Sequence, residues 1–346
     1  MNLFHYVKQY GTYSFEEEPF NEVDNIILSQ IAYLPLDNIV YGFNKKALSL
    51  SEVVKKMVEQ NTKKKVKGIF CNRVYKLMLK MQYTKRYKDI LCYHYKKEID
   101  RDSQFGAITL KLPDGSIFVS YEGTNSSISG WKEDACMTYR FPVPAQVLAL
   151  NYLKKTVSMH DSKIRIGGHS KGGNLAVYAA MEAPHRIQKK IVRIYDNDGP
   201  GFFKELVESD KYQRIVKKIY RIVPRESVVG MLLYHSGDTL VVKSKSKSVL
   251  QHDPFHWQVE GTSFVVDSLS EYSKRVSEKT RCWIENLRLQ ERKRCVEDLF
   301  DTLAFSDVVD TYDFFSIGKS IAALREIKHL EDSSKKNLIE AVKIIV

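Results

Sequence analysis

The residues best placed to do chemistry lie at Gly168-His-Ser-Lys-Gly172, where a serine stands two positions from a glycine on each side. Ile164, Arg165 and Ile166 ahead of it read as a short strand, and the small-residue run Leu175 to Met181 behind it reads as a helix. A serine at a sharp strand-to-helix corner has strained backbone angles and an exposed hydroxyl. Its neighbours two away must lack bulk so that strand and helix can approach. Gly168 and Gly172 meet that need, which makes the corner a nucleophile elbow and Ser170 the candidate nucleophile. The following helix aims its N-terminal amides at the same point, so the backbone N–H of Lys171 becomes an oxyanion donor.

A serine hydroxyl needs a base to activate it, and the base needs an acid to orient it. On a sheet carrying such an elbow, the acid follows a later strand and the histidine follows the last one. Glu226 lies just past the strand Ile219 to Val223, and His252, in Gln251-His-Asp-Pro-Phe-His-Trp257, lies past the last strand. This order selects His252 as general base and Glu226 as its orienting acid. His235 and His256 compete for the first role, and Asp196, Asp198 and Asp238 for the second. His169, inside the elbow, points away from the serine by turn geometry and reads as a packing residue.

The elements that must position these groups alternate between helix and strand. Helices are expected from Asp24, as cap, to Leu34; from Ser49, where Glu52 completes a capping box; and from Asn72 to Tyr87, a basic segment with an apolar face of Val74, Leu77, Leu79 and Met81. Phe105 to Leu112 and Ser116 to Glu122 read as strands joined through Pro113-Asp-Gly115. Ala145 to Val157 is helical, and strands follow at Ile191 to Tyr195, Ile219 to Val223 and Thr239 to Lys243. From Val266 onward the sequence is charged and helix-forming, enough for two or three helices. The class is therefore α/β with a largely parallel central sheet. Residues 1–104 form a mostly helical N-terminal segment packed on the core, 105–265 the catalytic core, and 266–346 a helical C-terminal extension.

A chain of 346 residues has room for one substantial core with appended elements. Its 54 basic and 42 acidic side chains leave a net charge of +12, which favours anionic partners: a membrane surface, nucleic acid or an acidic substrate. The basic helix behind Lys63-Lys64-Lys65 is most simply a solvated face, with a membrane-surface or acidic-partner face as the rarer case. Nucleic-acid binding rests on charge alone, without a recognised motif, and is disfavoured. The five cysteines are scattered and lack a Cys-x-x-Cys, so neither a zinc site nor a disulfide framework is indicated, and reduced thiols in a cytoplasm fit best. The first residues lack a secretory-signal pattern, and no uncharged stretch approaches the length of a membrane span.

Taken in order, Tyr121-Glu-Gly-Thr124, Trp131 and Asp134, Gly168-His-Ser-Lys-Gly172 and Pro224-x-Glu226-x-Val228 are similar to the motif set of the class 3, fungal-type lipases. With Phe20-Asn-Glu-Val-Asp24, Val228-Val-Gly-Met-Leu-Leu233, and Gln251-His-Asp253 followed by Trp257, the chain more closely resembles a bacterial, Mbeg-like family of unknown function grouped with those lipases. The resemblance implies an α/β-hydrolase fold. It places Thr124 in the oxyanion hole beside the Lys171 amide, and Ser126 to Asp134 at the hinge or lid over the site. Glu122 and Lys171 depart from the arginine and leucine usual in the lipases, and Glu226 from their aspartate. A lysine at the mouth of the site would favour a polar-headed substrate over neutral triglyceride.

The expected function is a serine hydrolase of carboxylic esters, acting on lipid-like substrates such as phospholipid or acylglycerol without metal or organic cofactor. Its expected partners are the ester or lipid substrate and an anionic membrane surface. The alternative from another class is a non-catalytic module of the same fold that binds lipid or a protein through its basic face. An intact elbow with a downstream histidine speaks for the enzyme.

Overall fold

The computed structural model describes residues 1–43, 46–100, 103–124, 128–305 and Lys335. Within them, eight strands join one sheet in the order in which they occur along the chain: β1 (Leu48–Ser49), β2 (Leu91–Ile99), β3 (Gln104–Lys111), β4 (Ile117–Tyr121), β5 (Ile164–His169), β6 (Ile191–Asn197), β7 (Ile219–Pro224) and β8 (Asp238–Val242). From β1 to β4 neighbours are antiparallel. From β4 to β8 they are parallel, which gives the α/β class expected. The β3–β4 hairpin closes through Gly115, whose φ of +79° a side chain would resist.

Alternate residues of the strands face two separate cores, as the strand period of two requires. Ile108, Leu110 and Phe118 join a core with the helices α1 (Leu3–Tyr10), α2 (Glu22–Gln30), α3 (Leu50–Glu59) and α4 (Ile69–Met81). Ala107, Val119 and Tyr121 join the other, beneath α6 (Pro144–Thr156) and α7 (Lys171–Glu182). The preceding α5 (Ile128–Cys136) lies ahead of α6 in the β4–β5 crossover. With both faces covered, β4 is buried along its whole length, and Ser120 alone interrupts its otherwise apolar and aromatic sequence.

The strand β2 escapes sequence reasoning because Lys96, Lys97 and Glu98 sit on it, and its half-exposed pattern breaks at an irregularity between Tyr93 and Lys96. Both β1 and β2 come from residues 1–104, so the N-terminal segment contributes strands as well as helices to the sheet. The C-terminal helices α8 (Glu271–Asn286) and α9 (Leu289–Phe305) are the two described of the two or three expected. Val296 and Phe300 of α9 pack against Ala135, Cys136 and Tyr139 at the end of α5.

Two helix boundaries differ from expectation for one reason. Asn21, not Asp24, caps α2; its side chain accepts the Val23 and Asp24 amides, while Asp24 accepts the Asn21 amide. Asp24 also receives Nε and Nη2 of Arg86 and the hydroxyl of Tyr87, all fully buried. Arg86 and Tyr87 are thus pulled to Asp24, and α4 ends at Met81 rather than continuing to Tyr87. The same guanidinium bonds the Ser14, Glu18 and Pro19 carbonyls, fastening the N-terminal layer.

Removing one partner leaves a buried charge uncompensated. Asp24→Ala is expected to cost about 3–5 kcal/mol, seen as a lowered urea midpoint. Lys85→Ala, which removes an exposed pair with Glu17, should leave the midpoint near that of the wild type.

Candidate active site

Strand β5 ends at His169 and α7 begins at Lys171, leaving Ser170 alone on the corner with φ +59° and ψ −134°. A non-glycine residue holds such angles only where its surroundings over-determine them. Here Ser170 N–H donates to Asn197 O at 2.9 Å, Gly173 N–H donates to Ser170 O at 2.9 Å, and Asn197 Nδ2 donates to Gly168 O at 2.9 Å. A Cβ on Gly168 would lie 2.4 Å from the Gly172 carbonyl carbon, and one on Gly172 would lie 2.3 Å from Tyr121 O. Both elbow glycines therefore answer to backbone contact.

His252 ends a 3-10 turn, Ser248–His252, with its Nδ1 2.7 Å from Oδ2 of Asp198. A carboxylate only accepts, so Nδ1 carries a proton, and of the two neutral tautomers this contact selects the one whose Nε2 holds the lone pair. Asp198 is fully buried just past β6, and its other oxygen accepts the Ser227 hydroxyl at 2.5 Å. The His169 ring lies 4.5 Å from that of His252, and its Nε2–H donates to His252 O at 2.8 Å. Burial, and then the neighbouring His252, push His169 well below the usual histidine range, so the ring is neutral. The expected packing residue thus also ties the elbow to the segment bearing His252.

The structure corrects the expected acid. Glu226 does not meet the His252 ring; its carboxylate accepts the Ser248 amide and Gln251 Nε2, while its own amide donates to Gln251 Oε1. Asp198 is the carboxylate beside His252 because β6 directly adjoins β5, whereas the β7 end carrying Glu226 lies one strand, about 4.8 Å, further away. Asp196 is engaged by Arg221 and the Gly199 amide, and Asp238 is exposed at the start of β8. His235 is buried against Leu232 O, and His256 lies between Arg73 and Ser246. None of these rivals is hydrogen-bonded to Ser170 or His252.

The side chain of Lys171 is likewise not at the mouth of the site. It is fully buried, with Nζ 2.9 Å from Glu133 Oε2 and 3.0 Å from Gln104 O. Glu133 also accepts the Gln104 and Ala145 amides, joining α5 to β3 and α6. Buried there, Lys171 offers no charge to a polar-headed substrate.

A Cβ on Gly123 would lie 2.1 Å from the Tyr33 hydroxyl oxygen, 2.3 Å from His169 O and 3.1 Å from Ser170 Cβ, so only glycine lets the Gly123-Thr124 loop close on the serine. The Thr124 hydroxyl donates to Asp134 Oδ2 on α5. Among the described residues, the backbone N–H groups of Thr124 and Lys171 donate to no other group. Ser126 and Ser127, expected at the hinge or lid, lie outside the described residues; Trp131 and Asp134 lie on α5. Asn197 and Ser227 went unnoticed in the sequence, where the only signal is that each sits beside a candidate acid just past a strand end.

A family model described as Mbeg1-like matches residues 81–301. No curated protein matches the chain. Among solved structures the chain is similar to M37 lipase, at 16% identity over 59% of this chain and 68% of that one, with a TM-score of 0.36.

Burial raises the carboxyls of Asp134 and Asp196 from the ordinary 3.8 to about 6, against the pull of Lys171 and Arg221 respectively. Between those values the folded chain holds protons that the unfolded chain has released. Their contribution to stability is therefore full below the ordinary value and is lost as pH rises through about 6. Asp196→Asn removes one such group. Beyond a constant offset from the altered Arg221 pairing, urea midpoints should compare more favourably with wild type near pH ~7 than near pH ~4.

Proposed function

The chain belongs to the Mbeg1-like family, and we propose that it is a serine hydrolase of carboxylic esters acting on lipid-like substrates. One observation carries the reading: His252 Nδ1 rests on buried Asp198 next to a serine held at positive φ. That arrangement fixes the tautomer a general base needs, and a binding module has no use for it.

In the proposed reaction, His252 Nε2 takes the proton of Ser170 Oγ as the oxygen attacks the acyl carbonyl. The amides of Lys171 and Thr124 receive the oxyanion; the Thr124 hydroxyl is already given to Asp134 and holds the loop in place. Collapse of the tetrahedral species breaks the ester C–O bond. The leaving alcohol takes the proton from His252, and the acyl group stays on Ser170. Water then gives its proton to the same nitrogen, attacks the acyl carbon and releases the acid, and the proton returns to Ser170. Asp198, itself fixed by Ser227, stabilises the imidazolium in both halves.

Phospholipid and acylglycerol esters are the proposed substrate class, resting on the ordered motifs shared with the class 3 lipases. The three reacting groups all fall within 105–265, which supports reading that stretch as the catalytic core. All five cysteines are free thiols, in keeping with the proposed cytoplasmic location. No helix among the described residues is long and apolar enough to cross a membrane.

A fluorophosphonate probe should label the wild type and fail to label Ser170→Ala or His252→Ala. On a p-nitrophenyl ester series, Asp198→Asn should lower turnover about 10⁴-fold, and Glu226→Gln far less. Near-normal turnover in Asp198→Asn together with the large loss in Glu226→Gln would return the acid role to Glu226. A folded wild type that takes no label, even with anionic vesicles present, would leave the binding module as the better account.

A further inference from the structure

Outside the site, three exposed aliphatic side chains lie within one hydrogen-bonded cluster. Ile69 is 65% exposed on the first turn of α4, and Val249 and Leu250, 46% and 66% exposed, precede His252. The His256 ring joins the two segments: Arg73 of α4 lies 3.0 Å from its Nε2, and Ser246 Oγ and Leu250 O lie 2.6 and 3.3 Å from its Nδ1. Arg73 stands four residues after Ile69, so the two share a helix face, and that face continues through Lys76 and Lys80. Ile69, Leu250 and Val249 therefore belong to one surface next to the turn that carries His252.

That surface is strongly basic. Lys63, Lys64, Lys65 and Lys67 are exposed just ahead of α4, Lys76 and Lys80 are exposed along it, and Lys245 and Lys247 flank Ser246. The acids among them are engaged: Asp253 pairs with Arg73, and Glu226 accepts Ser248 and Gln251. Aliphatic tips ringed by lysines match a bilayer with anionic headgroups, whose hydrocarbon margin takes the tips while its surface charge attracts the ring.

We propose that the face formed by the first turns of α4 and by residues 245–250 docks the protein on an anionic lipid bilayer, presenting the His252 side of the site to the membrane. This names the partner surface for the lipid-ester reading above and rests on it for its purpose, but the binding is read without turnover.

The test is flotation of the full chain with phosphatidylcholine vesicles, with and without phosphatidylglycerol. Binding should require phosphatidylglycerol and weaken with added salt. Lys245→Gln and Lys247→Gln should each weaken it about fivefold, and Leu250→Ser roughly tenfold. Lys189→Gln with Lys217→Gln, ahead of β6 and β7 at the opposite end of the parallel strands, should leave it unchanged. Circular dichroism confirms that each variant is folded. The proposal is overturned by a wild type that ignores anionic vesicles, by equal binding to phosphatidylcholine alone, or by an equal loss in the opposite-end variant. Retention on an RNA oligonucleotide in place of vesicles likewise overturns it. Probe labelling without vesicle binding sinks the docking face alone, whereas vesicle binding without labelling sinks the hydrolase.

Discussion

The contact on which the rest of the structure depends is the approach of the Tyr121 carbonyl at the end of β4 to the first turn of α7, so close that Gly172 has no room for a Cβ. That packing leaves Ser170 as the single residue between β5 and α7, at a positive φ that a residue other than glycine rarely holds. The two neighbours of β5 then supply what a serine needs on either side. The chain leaving β4 is Gly123-Thr124, with its unengaged Thr124 amide, and the chain leaving β6 is Asn197-Asp198, with the carboxylate that meets His252. Sheet order alone thus sets the proposed nucleophile, oxyanion loop and acid side by side, because adjacent strands lie about 5 Å apart.

Three buried ion pairs brace this arrangement: Lys171 with Glu133, Asp196 with Arg221, and Asp24 with Arg86. Buried pairs are a weak source of net stability, since desolvation offsets much of the attraction. What they supply here is fixed geometry. Glu133 draws its partners from α7, β3 and α6, so α5, which carries Asp134 to Thr124, is fastened beneath as well as covered by α9. A leucine at position 171 could fill the space but could not fasten the helix. Helix α5 is therefore anchored at its middle, and its Asp134 is held against the Gly123-Thr124 loop.

What the sequence makes legible follows from how local each cause is. The elbow is readable because Gly168 answers to Gly172 only four residues on, and the Ser49–Glu52 capping box because both bonds close within one turn, whereas the contact of Gly172 with Tyr121 is not local. The choice between Glu226 and Asp198 is not local: it depends on which strand adjoins β5, and chain order allowed either. The burial of Lys171 is invisible for the same reason, since Glu133 and Gln104 reach it from 38 and 67 residues away. Strand β2 is hidden by its half-exposed lysines, and the end of α4 by Arg86, whose partner lies 62 residues upstream. The class of the fold survives these misreadings because β5, β6 and β7 each carry isoleucines on both sides of a lone arginine, which keeps them legible as strands.

Glu226, which does not meet the His252 ring, still bears on where that ring sits. Its carboxylate grips the Ser248 amide and the Gln251 side chain, and Gln251 O accepts the indole N–H of fully buried Trp257. The turn bearing His252 is thereby held from inside the molecule at both ends. From outside, His256 and Arg73 hold the same segment through Leu250 O and Asp253. The proposed base thus sits between a rigid inner clasp and an outer surface of lysines and aliphatic tips. A load on that surface meets Leu250 two residues before the imidazole, so the short 248–252 turn is the shortest path by which contact at the face could alter the alignment of His252 with Ser170.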